Sequence, residues 1–147
     1  MPDTFELEVT TPERLLIRDQ VNEAQIPAAN GYLGIGPEHA PLLAELGIGE
    51  LSYRVGNMRK SLVVSGGFVE VMPDHVRVLA DSAEKASEID VERARAALQR
   101  AEERLGSNAT AGIDVARALN AATRAKARLE AGARHKSGSH AARRPSQ

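Results

Sequence analysis

The sequence predicts an α+β protein in which an N-terminal antiparallel β-sandwich or barrel is followed by a C-terminal antiparallel two-helix hairpin. Two patterns lead to this prediction. Up to about residue 86, short segments alternate apolar and polar residues between Gly, Pro and Asn, which is typical of several strands. From residue 89 the apolar residues recur every three or four positions, which is the period of an amphipathic helix. We predict a β unit over 1–86, a helical hairpin over 87–131 and a disordered basic tail over 132–147.

Alternation within segments identifies the individual strands. Phe5, Leu7 and Val9 are separated by polar residues, so one face of this first strand is expected to be buried. Tyr53 and Phe68 are expected in the core. Gly56-Asn57 is typical of a hairpin turn, and a Pro within 72–75 favours a second turn. The remaining strands are predicted at 21–26, 51–55, 62–64, 68–72 and 76–80.

The segment 31–43 is rich in Gly and Pro, which predicts a shaped loop. Its Leu and Ile residues are expected to anchor it in the core. A rigid loop that carries the polar pair Glu38-His39 suits the presentation of a contact surface. The pair also has the composition of a general acid and base, but neither a nucleophile nor a pocket residue accompanies it. We therefore favour a contact surface over an active site.

The helical half contains an internal repeat. Residues 89–105 and 113–129 are identical at ten of seventeen positions. Each copy begins with Ile-Asp, in which Asp is expected to cap the helix and Ile to pack on a residue one turn later. Alanine occupies half of the seam positions, so two helices joined by 106–112 can approach closely but bury little area. These positions are Val91, Ala94, Leu98, Ala101 and Leu105 in the first copy and Val115, Ala118, Ala122, Ala125 and Leu129 in the second. A hairpin held this weakly is expected to detach and to dock on another partner.

Composition excludes several kinds of site. The chain has no Cys, and its four His residues show no metal-ligand spacing. It has no phosphate-binding loop of the Walker type, and Gly34-Ile35-Gly36 lacks the third Gly of a dinucleotide fingerprint. The N-terminus lacks the features of a signal peptide, and no apolar run is long enough to span a bilayer. These features predict a soluble intracellular protein.

The net charge changes sign close to the residue at which the periodicity changes. Residues 1–88 carry fourteen acidic and seven basic side chains, a balance of −7, whereas residues 89–147 carry six and twelve, a balance of +6. This asymmetry indicates two units with different partners. A nucleic-acid-binding module that uses the basic half is the alternative function, although that half has no aromatic residue and the acidic half would repel a duplex. A small β-fold enzyme is a third reading, but no nucleophile and base constellation supports it.

Five short motifs, taken in order, resemble the epsilon subunit of bacterial F-type ATP synthases. They are Gly34-Ile35, His39-Ala40-Pro41-Leu42-Leu43, Ser65-Gly66-Gly67-Phe68-Val69-Glu70-Val71, Val78-Leu79-Ala80-Asp81 and Ile89-Asp90-Val91-Glu92-Arg93-Ala94. Together they extend the resemblance over residues 4 to about 130.

This resemblance implies a non-catalytic central-stalk subunit of a proton-translocating rotary motor, bound peripherally to the cytoplasmic side of the cell membrane. Its implied partners are the gamma subunit, the ring of c subunits and, when the hairpin extends, the alpha/beta catalytic head, with no nucleic acid. The hairpin is expected to restrain ATP hydrolysis. The contact loop of the family corresponds to Tyr32, Glu38 and His39, and Tyr32 stands where some relatives carry an acidic residue.

Some bacterial relatives also bind ATP between the β unit and the folded hairpin. The residues that correspond to this site are Glu84, Asp90, Arg93, Arg100, Arg124 and Arg128. The resemblance thus implies no required cofactor and makes ATP a candidate regulatory ligand. Guanidinium groups suit phosphate oxygens, and carboxylates accept hydrogen bonds from a base or ribose. In the alternative interpretation Ile-Asp-x-x-Arg-Ala is only a helix cap, because it occurs at both 89 and 113, and Glu84 lies in a solvated connector.

Overall fold

The structure of the 147-residue chain, a computed structural model, describes residues 3–106 and 115–142, with side chains described over 3–106 and 116–135. The chain divides into two compact units, one that ends at Lys85 and one that begins at Ala86. Eight strands are followed by two long helices, which confirms the predicted fold class.

The strands pair in one continuous order. They are β1 (Phe5–Thr10), β2 (Leu15–Val21), β3 (Glu23–Ala28), β4 (Gly31–Ile35), β5 (Leu42–Glu45), β6 (Ile48–Val55), β7 (Met58–Val71) and β8 (His75–Lys85). Neighbours follow the order β2-β1-β8-β7-β6-β3-β4, and β5 pairs with β7. The pairs are antiparallel except β1 with β8, which is parallel, so the expectation of a purely antiparallel unit was wrong at this pair.

Alternate residues of the strands meet in one aliphatic core. In β1 the predicted residues Phe5, Leu7 and Val9 are buried, and the residues between them are half-buried. Tyr53 is only 4% exposed, as predicted, whereas Phe68 is 56% exposed and the prediction for it was wrong. Because successive side chains of a strand point to opposite faces, the burial of Val69 places Phe68 on the outside.

The long strand β7 changes neighbours at its double glycine. Residues up to Ser65 pair with β6, and the last four residues pair with β5. Gly66 and Gly67 have φ angles of 70° and 110°, a region that other residues rarely adopt. A Cβ at Gly67 would also collide with the carbonyl oxygen of Leu79 on β8. One bent strand therefore replaces the two strands predicted at 62–64 and 68–72.

Three further local predictions were wrong. The strand predicted at 21–26 is interrupted at Asn22, whose backbone N donates to the carbonyl oxygen of Arg54 at 2.7 Å, so the chain divides into β2 and β3. Most of the predicted loop 31–43 consists of β4 and β5, which leaves only 36–41 as a loop, and Leu43 is 71% exposed rather than anchored. Glu84 belongs to β8 and not to a connector.

The second unit consists of two helices that pack along a seam of small residues. A 3-10 turn at Ala86–Glu88 precedes α1 (Val91–Gly106) and α2 (Val115–Ala142). The buried seam residues are Val91, Ala94, Ala101, Ala118 and Ala125, all at predicted positions. The two-helix hairpin is thus confirmed, and its connector, with the second predicted cap at Asp114, lies outside the described residues. No helix in the described part of the chain is both long and apolar enough to cross a bilayer.

Helix α2 continues beyond its predicted end. Because it extends to Ala142, the prediction of a disordered tail was wrong over 132–142, and 143–147 lie outside the described residues. Ala131 is fully buried, and a Cβ at Gly132 would lie 2.9 Å from Val91 Cγ2 and 3.0 Å from Ile89 Cγ2. The missing side chain of Gly132 lets α2 pack closely on the apolar start of α1, and this contact supports the helix past residue 131.

We expect Gly67→Ala to lower the free energy of unfolding by about 3 kcal/mol, because the new methyl group would meet the carbonyl oxygen of Leu79 at an unfavourable φ. Gly56→Ala is the matched control: Gly56 also has a positive φ, 60°, but has open space around its Cα, so its cost should be about 1 kcal/mol. Urea unfolding of both variants measures the difference. Equal costs would contradict the required close approach at Gly67.

A second prediction concerns alkaline stability. Burial, and then the charge of Asp19, raises the pKa of Tyr53 from 10.0 to about 12. The neutral phenol is therefore favoured by folding, and its contribution is present below pH 10 and lost as the pH rises through 12. We expect the native chain to lose about 2 to 3 kcal/mol more than Tyr53→Phe over this range. Parallel curves of unfolding free energy against pH for the two proteins would contradict this.

Candidate functional site

The loop 36–41 that carries Glu38 and His39 is fixed by its backbone. Glu38 has a φ of 60°, and its N–H donates a hydrogen bond of 3.0 Å to the carbonyl oxygen of Pro73, in the turn between β7 and β8. His39 Nδ1 lies 2.8 Å from the carbonyl oxygen of Ala40. Glu38 is exposed and His39 is half-buried. The loop is thus well suited to present both side chains in one conformation.

The third predicted contact residue, Tyr32, lies on the neighbouring strand β4. It is 59% exposed and pairs with Pro27 of β3. A Cβ at Gly49 of β6 would lie 2.8 Å from Tyr32 Oη and 3.1 Å from Pro27 Cβ. The Tyr32 side chain therefore extends across two strands, in space that the missing side chain of Gly49 leaves free. More than half of its surface remains exposed to a partner.

Beside the turn that holds the loop, one His and two carboxylate side chains form a cluster that the sequence did not predict. His75 Nδ1 lies 2.8 Å from Asp74 Oδ1, and His75 Nε2 lies 3.5 Å from Glu70 Oε1. The hydrogen bond with His75 is the main reason why the pKa of the Asp74 carboxyl is lowered. The carbonyl oxygen of Asp74 also accepts a hydrogen bond of 3.2 Å from Glu6 N. In the sequence, the adjacent Asp-His pair after Pro73 could have indicated this cluster.

In the helical unit, Asp90 is the N-cap of α1. Its Oδ1 accepts a hydrogen bond of 3.1 Å from the backbone N of Arg93, and its carbonyl oxygen accepts one of 3.0 Å from Ala94 N. Ile89, just before the cap, is buried. The cap interpretation of Ile-Asp-x-x-Arg-Ala is therefore confirmed for the motif at 89. One carboxylate oxygen of Asp90 is already used in this way.

Four arginines line a cavity of about 250 Å³ between α1 and α2, which we call the arginine groove. Two come from α1, Arg100 and Arg104, and two from α2, Arg124 and Arg128. The other lining residues are Ala97, Ala101, Ala121 and Ala125. The alanines let the helices approach, and the longer side chains then converge from both sides. This arrangement favours an anionic ligand.

Three of the six residues predicted for the nucleotide site line the same cavity. Arg100, Arg124 and Arg128 meet in the arginine groove. Arg93 is exposed and lies seven residues before Arg100, about 10 Å along the helix axis. Glu84 lies on β8 opposite Val63, in the other unit. The groove adds Arg104, which the spacing of four from Arg100 already placed on the same stripe of α1.

Among the described side chains, no group of His, Asp or Glu residues could hold a metal ion. Nor do the lining residues of the arginine groove include a nucleophile or a base. The loop residues and the arginine groove can both take part in binding. The chemistry that they offer is hydrogen bonding and charge recognition.

Comparison with known proteins gives matches over both units. The β-sandwich domain of the ATP synthase delta/epsilon chain matches residues 4–86, and the long α-helix domain of the same chain matches residues 87–133. The ATP synthase epsilon chain of Solibacter usitatus is 60% identical over 129 residues, which cover 88% of this chain and 96% of that relative. The epsilon chain of Koribacter versatilis is 53% identical over 105 residues, covering 71% and 74%.

Solved structures share the fold at lower identity. A chain in the Euglena gracilis mitochondrial ATP synthase, from a complex of OSCP, F1 and c-ring, superposes with a TM-score of 0.77 at 24% identity, covering 90% of this chain and 83% of that one. A chain in the central stalk and c-ring of the Tetrahymena thermophila enzyme has a TM-score of 0.55 at 14% identity, covering 89% and 95%. These likenesses concern the fold.

We expect Asp90→Ala to destabilise the helical unit by about 1 kcal/mol, because the N–H of Arg93 would lose its acceptor. Asp90→Ser is the matched control, since a serine hydroxyl caps a helix equally well without a negative charge. Thermal melting followed by the helical circular dichroism signal measures both variants. A loss as large in Asp90→Ser as in Asp90→Ala would show that the carboxylate acts through its charge and not as a cap.

Proposed function

The chain belongs to the delta/epsilon chain family of ATP synthases, and on this premise we propose that it is a non-catalytic central-stalk subunit of a proton-translocating F-type enzyme, with a hairpin that restrains ATP hydrolysis and responds to ATP. Its proposed place is peripheral, on the cytoplasmic side of the cell membrane. One observation carries the regulatory part of this proposal. The arginine groove has walls from both helices, so its four arginines are neighbours only while the hairpin is closed.

Weak packing makes the closed hairpin responsive to a ligand. Its buried seam is mostly alanine, so closure buries little apolar area and the open and closed states differ by a small free energy. A ligand that binds only the closed state stabilises it by about 1.4 kcal/mol when its concentration is ten times its dissociation constant. An effect of this size shifts the balance between the two states roughly tenfold. ATP supplies the phosphate charge that the groove favours.

The open hairpin is proposed to act on the catalytic head. Residues 89–147 carry a balance of +6, which would attract them to an acidic surface of the alpha and beta subunits. The β unit stays on the gamma subunit and the c ring. Tyr32, Glu38 and His39 are the proposed contacts with the ring, because the fixed loop and the supported Tyr32 side chain present them outward. The match of residues 87–133 to the helical domain of this family favours this role over nucleic-acid binding.

We expect the full chain to lower the ATP hydrolysis rate of a catalytic complex depleted of its epsilon subunit. The inhibition should weaken as salt rises from about 0.05 M to about 0.5 M, because exposed ion pairs are screened over this range. The measurement is the steady-state hydrolysis rate at each salt concentration, with the intact complex as a control for direct salt effects. Inhibition that does not change with salt would contradict the electrostatic part of the proposal.

Titration calorimetry with ATP tests whether ATP binds in the arginine groove. We expect saturable binding to the native chain that Arg124→Ala weakens at least about tenfold, because one charge-assisted contact to phosphate is lost. Arg117→Ala is the matched control: it removes the same side chain from the same helix at a position outside the arginine groove, and it should bind normally. Absence of binding at millimolar ATP, or equal weakening by both variants, would remove ATP responsiveness and leave the stalk role.

A further inference from the structure

The residues that line the arginine groove indicate which class of ligand the groove binds. Four arginines and four alanines line it, and none of the lining residues has a carboxylate, amide, hydroxyl or aromatic side chain. Among the described residues, the ion pairs and hydrogen bonds do not involve the side chains of Arg100, Arg104 or Arg124. The groove therefore concentrates positive charge, and its side chains donate hydrogen bonds to phosphate oxygens but accept none from a base.

Charge repulsion among the arginines of the groove opposes closure of the hairpin. Arg100 and Arg104 are four residues apart on α1, as are Arg124 and Arg128 on α2, and like charges at this spacing destabilise a helix. Closing the hairpin brings the two pairs together and adds repulsion across the groove. A ligand with several negative charges along a flexible chain would reach arginines of both helices at once. A ligand with a single phosphate would reach only some of them.

We propose that the arginine groove is a site for a polyphosphate chain as such, with or without a nucleoside, and that Arg104 is a fourth anion-binding residue in it. This inference rests on the proposed closed-hairpin site but extends its ligand class to inorganic polyphosphates. Arg104 belongs to the site because it lines the same cavity as Arg100, Arg124 and Arg128. Each planar guanidinium fork is suited to two oxygens of a phosphate group.

The probe is inorganic tripolyphosphate, titrated into the full chain by calorimetry at constant ionic strength without divalent cations. We expect saturable binding, tighter than that of pyrophosphate and much tighter than that of orthophosphate. Arg104→Ala should weaken tripolyphosphate binding roughly tenfold, whereas Arg104→Lys should recover part of the loss by keeping the charge without the fork. Arg95→Ala, on the same helix but outside the groove, is the control and should bind normally. Circular dichroism of each variant verifies that the helices are intact.

Competition with ATP separates this inference from the proposed function. Tripolyphosphate that displaces ATP and protects the hairpin from trypsin would support a polyphosphate site. ATP binding without any tripolyphosphate binding would overturn this inference and leave the proposed function intact. Tripolyphosphate binding that depends on Arg104, without any response to ATP, would support this inference and overturn ATP responsiveness. Equal losses in Arg104→Ala and Arg95→Ala would overturn the role of Arg104.

Discussion

The close approach of β7 to β8 at Gly67 is the constraint on which the β unit depends. The carbonyl oxygen of Leu79 occupies the place of a side chain there, and the positive φ angles of Gly66 and Gly67 bend the strand. On one side of the bend β7 pairs with β6, and on the other it pairs with β5. Just after β5, Leu46 N donates a hydrogen bond of 2.8 Å to the carbonyl oxygen of Gly67, which extends the pairing with β7. β7 thereby pairs with β6 and β8 in the main sheet and also with β5, the short strand that follows the loop 36–41.

The position of the contact loop follows from this bend. β5 begins where the loop ends, and its pairing with the last residues of β7 brings the loop close to the turn at Pro73. The hydrogen bond from Glu38 N to Pro73 then fixes the conformation of the loop. The position of Glu38 and His39 therefore depends on Gly66 and Gly67, which are distant from the loop in the sequence. The helical unit is organised differently, because there the small size of alanine and Gly132 decides how closely two elements approach.

The sequence predicted the architecture better than the boundaries. Alternation at Phe5, Leu7 and Val9 and the repeat that begins at Ile89 were unambiguous because each followed one period. β2 was missed because its adjacent Leu16 and Ile17 are both buried, which breaks the alternation. β4 and β5 were missed because Gly and Pro dominate the composition of a segment whose strand pairing is set by distant residues. At the candidate site, the resemblance to the family predicted three of the groove arginines, whereas the register between the helices identifies the cavity and brings Arg104 into its lining.

Gly132 restricts the ways in which the hairpin can change shape. Its bare Cα fits against Val91 and Ile89, and a helix displaced by one turn would bring the long, charged side chain of Arg128 to that position instead. Gradual sliding of α2 along α1 is therefore blocked at the first step. The contact at Gly132 therefore favours one alignment of the two helices over alignments that are shifted by a turn. One residue without a side chain thus sets the register in which the two helices pair.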